Sequence, residues 1–375
     1  AEPSVAIEDL PWPDPTGWAE ALRSSDAVTV RDPDSGDATG AVDDGLIRPL
    51  VFDGERVYLE RYWRYERRVG DLLLNQSNGH SKALAAHSEA DEAAIDAVLD
   101  QFFGPENPDR PDLQRLGARV ALTRRITVLA GGPGTGKTHT VARLLAALYQ
   151  LALADDRPLQ VALAAPTGKA AARMTEAVHQ AAASADIPEA STQPLLTNEA
   201  GTIHRLLGYR DGISFRHDRT NPLPHDVVVV DETSMVALPL MARLLDALRP
   251  DARVVLVGDP FQLASVEAGA VLGDIVGPAT NRDATPVGPL ADSIVVLQRV
   301  HRFAADSAIA AVADAVRSGD ADRAIEVLSD SGSNDVQWVD PADRKALGQL
   351  RRMVVSGAAE VARAAREGEA GDALD

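Results

Sequence analysis

Cysteine is absent from this 375-residue chain, which excludes disulfide bonds and thiolate metal sites. Long apolar runs are also absent, and none approaches the roughly 18 residues that a membrane-spanning helix needs. The N-terminal residues lack the basic start and apolar centre of a secretory signal peptide. These absences predict a cytoplasmic protein that does not enter a membrane. An apolar content of 45% predicts a sizeable core.

Lysine is scarce, and its few positions are informative. Only 4 of the 37 basic residues are lysine, which leaves 33 arginines. Two of the four, Lys137 and Lys169, lie in the segments GTGKT and PTGKA. A position that keeps lysine against such a preference indicates a need for a compact ammonium group. The net charge of −19 argues against a surface that binds nucleic acid everywhere, but it leaves room for a local basic groove.

The segment GGPGTGKT, residues 131–138, fits the phosphate-loop pattern G-x-x-x-x-G-K-[ST]. An apolar run at 126–129 predicts a strand before it, and helical spacing at 140–150 predicts a helix after it. In such a loop backbone N–H groups face phosphate oxygens, Lys137 reaches the β- and γ-phosphates, and the Thr138 hydroxyl binds Mg²⁺. We therefore predict a nucleoside triphosphate site formed by Gly132, Pro133, Gly134, Thr135, Gly136, Lys137, Thr138 and His139.

Apolar runs that end in polar clusters recur along the rest of the chain. Strands are predicted at 161–165, 226–230, 253–257 and 293–297, with helical segments between them. Strands that alternate with helices form a parallel sheet covered on both faces, and ligands bind at the carboxyl ends of its strands. The predicted fold class is therefore α/β, with a parallel sheet.

Asp231 and Glu232 follow a run of four valines and form a candidate catalytic pair. Asp231 would hold Mg²⁺, and Glu232 would act as general base toward the attacking water. An acidic pair can also cap a helix, since residues 231–234 are all capping types, but the phosphate loop upstream favours catalysis. Gln262 resembles the amide that senses water or γ-phosphate in other NTPases, and Arg302 is a candidate arginine finger.

Residues 48–74 mix aromatic and arginine side chains. A β-hairpin is predicted around Asp53-Gly54. One interpretation of the aromatic and arginine residues is base stacking on a basic surface. The other, which we favour because glutamates interrupt the positive charge, is a small aromatic core with solvated arginines. The aromatic residues concerned are Tyr58, Tyr62, Trp63 and Tyr65.

Two helices are predicted next, at 83–103 and 113–122. The second carries Gln114, shortly upstream of the phosphate loop. A carboxamide has the paired donor and acceptor that an adenine edge requires, although a lone helical glutamine is usually a surface residue.

Six segments in order resemble motifs I, Ia, Ic, II, III and IV of superfamily 1 helicases: GGPGTGKT, APTGKAAARM, TIHRLLG, VVVVDETSM, LVGDPFQLASVEAGAVLGDI and LQRVHRF. Their residues resemble the RecD family, the alpha subunits of bacterial exodeoxyribonuclease V (RecBCD). The segment RPLVFDGERVYLERYWRYE resembles the N-terminal region of that family. The resemblance implies an ATP- and Mg²⁺-dependent 5′→3′ DNA helicase subunit in double-strand break repair and recombination. It also implies single-stranded DNA, a RecB-like subunit and a RecC-like subunit as partners.

The same resemblance assigns roles by position. It makes Gln114 the adenine-reading residue and Lys137 and Thr138 the phosphate and magnesium residues. It makes Asp231 and Glu232 the motif II pair, and it places two segments on single-stranded DNA. The remaining matches are Gln262 in motif III, Arg302 in motif IV, and Thr167 and His204 in the DNA-contacting segments.

The resemblance also implies a division into domains. Residues 1–108 would form a small N-terminal α+β domain that faces partners, 109–303 the first RecA-like motor domain, and 304–375 the start of a second. Motifs V and VI are not found in the sequence, so we expect the chain to be part of a longer helicase.

Three other functions stay open at this point. A stand-alone RecD-like helicase would have the same motifs without nuclease partners. A non-motor assembly subunit would use the aromatic and arginine-rich stretch for docking, although intact Lys137, Asp231 and Glu232 argue for hydrolysis. A small-molecule P-loop kinase would leave the TIHRLLG and GDPFQL segments without a role.

Overall fold

A small three-stranded sheet and two helices begin the described part of the chain. The computed structural model describes residues 14–31, 48–78, 89–107, 111–154, 158–183, 189–210, 214–262, 269–277, 286–297, 307–329, 336 and 338–367. Helix α1 (Pro15–Ser24) precedes strands β1 (Val28–Val30), β2 (Leu50–Phe52) and β3 (Val57–Leu59), and the long helix α2 (Glu60–Asn78) follows. β2 and β3 form the predicted antiparallel hairpin, whereas β1 pairs with β2 in parallel.

A parallel sheet follows, as the alternating pattern predicts. Its strands are β4 (Ile126–Gly131), β5 (Val161–Ala165), β6 (Gly201–Thr202), β7 (Val227–Val230), β8 (Arg253–Gly258) and β9 (Ile294–Leu297). Their order across the sheet is β6-β5-β7-β8-β4-β9, and all the neighbouring pairs are parallel. The α/β fold class is confirmed. The sequence does not predict β6, because two residues are too short to show a period of alternation.

Helices cover both faces of this sheet. They are α3 (Glu89–Phe103), α4 (Leu113–Thr123), α5 (Lys137–Ala154), α6 (Gly168–Ala183), α7 (Glu189–Thr197), α8 (Ile203–Leu207), α9 (Leu238–Asp246) and α10 (Val271–Val276). Helix α5 begins three residues before the predicted start, because its polar first turn does not show the apolar spacing of the rest. Helix α3 begins at Glu89 in the described residues, and residues 83–88 of the predicted helix lie outside them.

The core has two layers because successive strand residues point to opposite faces of the sheet. Leu129 of β4 packs with the layer that holds α3 to α7, and Val128 packs with the layer that holds α2 and α8 to α10. Tyr62 and Tyr65 of α2 pack against the second layer. This packing supports the aromatic-core interpretation of the stretch at 48–74.

Helix α2 is attached to the parallel sheet by charge as well as by apolar contact. Arg68 Nε lies 2.9 Å from Asp246 Oδ1 at the end of α9. The chain forms two compact units, residues 1–300 and 301–375. The domain boundaries given by the resemblance stay a prediction.

The second unit is mostly helical where it is described. Helix α11 (Ala308–Ser318) packs against α12 (Ala321–Ser329), and α13 (Arg344–Glu367) follows. The Ser307 hydroxyl caps α11 by accepting the N–H of Ala310 at 3.1 Å. Throughout the described residues of both units, no helix is long and apolar enough to cross a membrane.

Candidate nucleotide-binding site

The phosphate loop joins β4 to α5 and has the backbone that the motif requires. Gly134 and Gly136 have φ values of 77° and 83°, in the left-handed region that glycine adopts without steric cost. Thr135 is buried, and its hydroxyl donates to the Gly132 carbonyl at 2.9 Å. Helix α5 starts directly after the loop, at Lys137, so the positive end of its dipole faces the loop. This geometry fits a phosphate group on the loop.

Lys137 is folded back onto this loop. Its Nζ donates to the carbonyl oxygens of Gly131 at 2.5 Å and Gly132 at 2.9 Å. Burial lowers the pKa of the Lys137 ammonium, and the nearby carboxylates of Asp259, Asp231 and Glu232 oppose that shift. A phosphate would offer this ammonium stronger acceptors than two backbone carbonyls do.

The other predicted loop residues differ in their exposure to solvent. Thr138 is half-buried in the first turn of α5, and His139 beside it is exposed. Gly132 is half-buried and Pro133 is exposed. The loop therefore presents its exposed surface at the carboxyl end of β4.

Asp231 and Glu232 form a tight turn at the end of β7. The Asp231 N–H donates to the Ala164 carbonyl of β5 at 2.9 Å, and its Oδ1 accepts the N–H of Glu232 at 2.8 Å. Glu232 has a φ of 51° and is the only non-glycine with positive φ among the described residues. A short 3₁₀ turn, Thr233–Met235, follows. β7 is therefore followed closely by a left-handed residue, Glu232, whose side chain makes no capping hydrogen bond to the 3₁₀ turn.

Both carboxyl groups are held in an environment that disfavours their charge. Burial raises the pKa of Asp231, while the Glu232 N–H and the Lys137 charge work in the opposite direction. Burial is also the largest cause that raises the pKa of Glu232, and repulsion from the Asp231 carboxylate raises it further. Negative charge that is incompletely compensated is what a divalent cation would relieve. The Asp231 carboxylate and the Thr138 hydroxyl are the oxygen ligands that Mg²⁺ prefers.

Side chains of the described residues do not form a metal cage by themselves. No group of three or more His, Cys, Asp or Glu residues with metal-binding geometry occurs among them. Mg²⁺ in nucleotide sites is held by one or two side chains, by water and by the phosphates themselves.

Strand β8 lies between β4 and β7, so the residues at its end separate the phosphate loop from residues 231–235, here called the acidic turn. Asp259 at this end is only 3% exposed, and its Oδ1 accepts the N–H of Phe261 at 3.0 Å. Asp259 is not among the predicted site residues, although it belongs to the GDPFQL segment. A buried carboxylate beside Lys137 could have been inferred from its place directly after a strand.

Gln262 and Arg302 complete the predicted catalytic set. Gln262 lies in the turn after β8, where its N–H donates to the Asp259 carbonyl at 3.1 Å and its side chain is exposed. Arg302 lies outside the described residues. The other four members of the set, Lys137, Asp231, Glu232 and Gln262, come together at one edge of the sheet.

Gln114 also lies at this edge of the sheet, where helix α4 brings it to the phosphate loop. It is the second residue of α4, and Asp112 caps that helix by accepting the Gln114 N–H at 2.8 Å. The Gln114 Nε2 donates to the carbonyl of Thr135 in the phosphate loop at 3.2 Å. A surface glutamine would have no reason to be held there, so its position fits a role at the nucleotide.

The two predicted DNA contacts lie on other elements. Thr167 follows β5, is exposed, and caps α6 by accepting the Ala170 N–H at 3.2 Å. His204 is exposed on α8, where its ring lies 5.9 Å from the rings of both Tyr209 and Phe215. Thr167 therefore has a structural role in capping, and His204 belongs to an exposed aromatic cluster.

Comparison with known proteins agrees with this geometry. A family model described as an AAA domain matches residues 114–268, which include the phosphate loop and the acidic turn. The RecBCD enzyme subunit RecD of Mycolicibacterium smegmatis is 44% identical over 375 residues, 99% of this chain. The chain belongs to the RecD family.

Other members of the family are more distant. The RecBCD enzyme subunit RecD of Haemophilus influenzae is 34% identical over 75% of the chain and 46% of its own length. The ATP-dependent RecD2 DNA helicase of Deinococcus radiodurans is 34% identical over 66% of the chain and 30% of its own length. The chain spans 58% of the M. smegmatis protein, a little over half.

Solved structures add little to the assignment. The crystal structure of Pif1 helicase from Candida albicans is 18% identical and covers 58% of this chain and 46% of its own. Its TM-score is 0.36, which is too low to carry an argument. The fold assignment rests on the sheet order and on the family.

Proposed function

We propose that the chain is the nucleotide-hydrolysing part of an ATP-dependent 5′→3′ DNA helicase subunit of a RecBCD-type exodeoxyribonuclease V. The observation that carries the proposal is the meeting of the phosphate loop, the acidic turn and the Gln114 carboxamide at one edge of the parallel sheet. Membership of the RecD family supports the polarity, the DNA substrate and the role in double-strand break repair.

The roles follow from the chemistry of each side chain. Lys137 and the loop N–H groups would hold the phosphates, and Gln114 would face the adenine. Thr138 and Asp231 would hold Mg²⁺, which supplies charge neutralisation at the phosphates when bound. Glu232 would accept the proton of the attacking water, since a carboxyl with a raised pKa is a better base near neutral pH.

The remaining site residues would contact the γ-phosphate, the transition state or DNA. Gln262 would sense the γ-phosphate, and Arg302 would stabilise the charge that develops in the transition state. Thr167 and His204 would touch single-stranded DNA, His204 through its exposed aromatic cluster. We place the first motor domain at 109–303, between a partner-facing domain at 1–108 and the start of a second motor domain.

The partners and the compartment also belong to the proposal. RecB-like and RecC-like subunits would assemble with the protein in the cytoplasm. Co-purification separates this from a stand-alone RecD-like helicase, which would be recovered without those subunits. A pure assembly subunit would be recovered with them but would not hydrolyse ATP.

The direct test is ATP hydrolysis by the purified full-length protein, of which this chain is expected to be a part, with and without single-stranded DNA. We expect DNA to stimulate hydrolysis about tenfold or more, because in a motor the strand contacts complete the catalytic geometry. Hydrolysis that ignores DNA but responds to a small phosphate acceptor would favour a kinase. Strand displacement on a duplex with a 5′ single-stranded tail then tests the polarity.

A further inference from the structure

The end of β8 makes an unusually close approach to the acidic turn. A Cβ placed on Gly258 would lie 3.1 Å from the backbone N of Thr233 and 3.2 Å from that of Ser234. It would also lie 2.6 Å from Cδ2 of Leu272 in α10. The two backbone contacts are shorter than nearly all real Cβ contacts, so a side chain here requires a shift of a few tenths of an ångström.

Backbone conformation does not explain this glycine. Gly258 is not among the described glycines with positive φ, so other residues could adopt its φ angle. What crowds a side chain here is the backbone of Thr233 and Ser234, in addition to the Leu272 side chain. Gly258 therefore lies where two backbone segments approach closely, one that follows β7 and one at the end of β8.

The turn that Gly258 contacts is also the strained one. Glu232 immediately before it is left-handed, a conformation that is unfavourable for a non-glycine residue and persists only when its surroundings hold it. On the β7 side the holding contacts are the Thr233 hydroxyl to the Val230 carbonyl at 3.0 Å and the Met235 N–H to the Glu232 carbonyl at 3.0 Å. On the β8 side the contact is Gly258.

We propose that Gly258 is a positioning residue for the Glu232 carboxylate. By lacking a Cβ, it lets the end of β8 support the Thr233–Met235 turn directly, and this support keeps Glu232 in its left-handed conformation. The proposal rests on the function proposed above for Glu232. It makes the geometry of the general base depend on the strand that lies between the phosphate loop and the acidic turn.

A simpler explanation is that Gly258 only leaves room for Leu272. The two explanations differ in which second substitution would make room for the methyl group that Gly258→Ala adds. Leu272→Ala removes the 2.6 Å contact with a flexible side chain, but it leaves both backbone contacts unchanged. The double variant Gly258→Ala/Leu272→Ala therefore separates a packing role from a positioning role.

The experiment is amide hydrogen exchange on the 375-residue chain. It compares the wild type, Gly258→Ala, Leu272→Ala, the double variant and the control Gly117→Ala. A Cβ on Gly117 would lie 2.5 Å from Leu129 Cδ2 in the same unit, so the control carries a similar side-chain clash without a contact to the turn. The readout is the exchange of the Met235 and Val236 amides, which donate to Glu232 and Thr233.

We expect exchange of these two amides to be about tenfold faster in Gly258→Ala, with the control within about twofold of wild type. In the double variant, exchange of the two amides should likewise be about tenfold faster than in Leu272→Ala alone. Wild-type exchange in Gly258→Ala, or recovery in the double variant, would overturn the proposal. Should Gly258→Ala not fold, the double variant against Leu272→Ala decides the same question.

Single-turnover hydrolysis by the full-length protein, wild type and Gly258→Ala, then connects the turn to catalysis. A shift of the general base alone should lower the rate about tenfold and leave nucleotide affinity within about twofold, because the loop that binds phosphate is not touched. Faster exchange with an unchanged rate would also overturn the positioning role. Absence of hydrolysis in the full-length wild type with DNA present would instead count against the proposed function, while the exchange data still test the support of the turn.

Discussion

The two ends of strand β7 carry the same residue in opposite circumstances. At the amino end Asp226 pairs with Arg249 at 2.7 Å and accepts the N–H of Gln160 at 2.9 Å. At the carboxyl end Asp231 accepts the N–H of its neighbour at 2.8 Å, and burial raises its pKa. Four valines separate the two aspartates.

This contrast separates stability from function within one strand. The charge of Asp226 is paired within the protein, and its contacts link β7 to the chain before β5 and to the segment that follows α9. Asp231 keeps a charge that the protein does not fully compensate, which costs stability in the absence of ligand and leaves binding energy for a cation. The amino end of the sheet is built for stability, whereas the carboxyl end is built for the ligand.

Lys137→Ala is expected to have the largest effect at the carboxyl end. It removes the ammonium that reaches phosphate, so we expect nucleotide affinity to fall at least about tenfold and hydrolysis to be lost. The unfolding temperature should stay within about 2 °C of wild type, because the side chain leaves no core cavity. Lys345→Ala on the exposed surface of α13 is the control. Wild-type turnover in Lys137→Ala would contradict the phosphate-loop assignment.

Glu232→Gln and Asp231→Asn should divide the catalytic work between them. The amide of Glu232→Gln keeps the shape but cannot accept a proton, so we expect hydrolysis to fall about 10²–10⁴-fold with binding retained. Asp231→Asn should instead weaken the Mg²⁺-dependent part of binding. Titration with a fluorescent ATP analogue at several Mg²⁺ concentrations, with rates on the same samples, measures both. Identical affinities and rates for the two variants would show that this division is wrong.

Asp226→Asn should act on stability and not on the site. It removes the charge that Arg249 pairs with, and we expect a loss of about 1 kcal/mol, or about 2–4 °C in unfolding temperature. Nucleotide affinity should remain that of wild type. A stability equal to wild type would mean that the Arg249 pair is too exposed to contribute.

Asp231→Asn should have the opposite and smallest effect, a gain in stability that depends on pH. The folded pKa of Asp231 is raised by burial, so the wild type loses stability as pH rises through that pKa, whereas asparagine does not. Well below about pH 4, the ordinary aspartate pKa, both proteins carry a neutral side chain in folded and unfolded states. The variant should therefore match wild type there and exceed it by about 1–3 °C at pH 7.5 without nucleotide.

Thermal unfolding of the ligand-free chain across this pH range checks the sign. The same substitution at the two ends of β7 then gives a paired comparison at pH 7.5, with Asp226→Asn below wild type and Asp231→Asn above it. If both substitutions raised, or both lowered, the unfolding temperature, the two ends of β7 would not have the separate roles described above.

Local sequence determined much of the architecture. Five strands of the parallel sheet are predicted because each is an apolar run of four to six residues followed by a polar cluster. The phosphate loop is predicted because glycines, a lysine and a threonine at fixed spacing have few other uses. The family follows from the order of six motifs, which the match to RecD proteins confirms.

Tertiary structure decided what the spacing along the chain does not contain. Strand order places β8 between β4 and β7, and this alone brings Asp259 beside Lys137 and Gly258 against the acidic turn. The left-handed backbone of Glu232 and the hydrogen bond from Gln114 to Thr135 also depend on contacts between distant segments. A sequence shows which residues can bind or catalyse, but burial and charge compensation are properties of neighbours in space. The two aspartates of β7, identical as letters, acquire opposite roles for that reason.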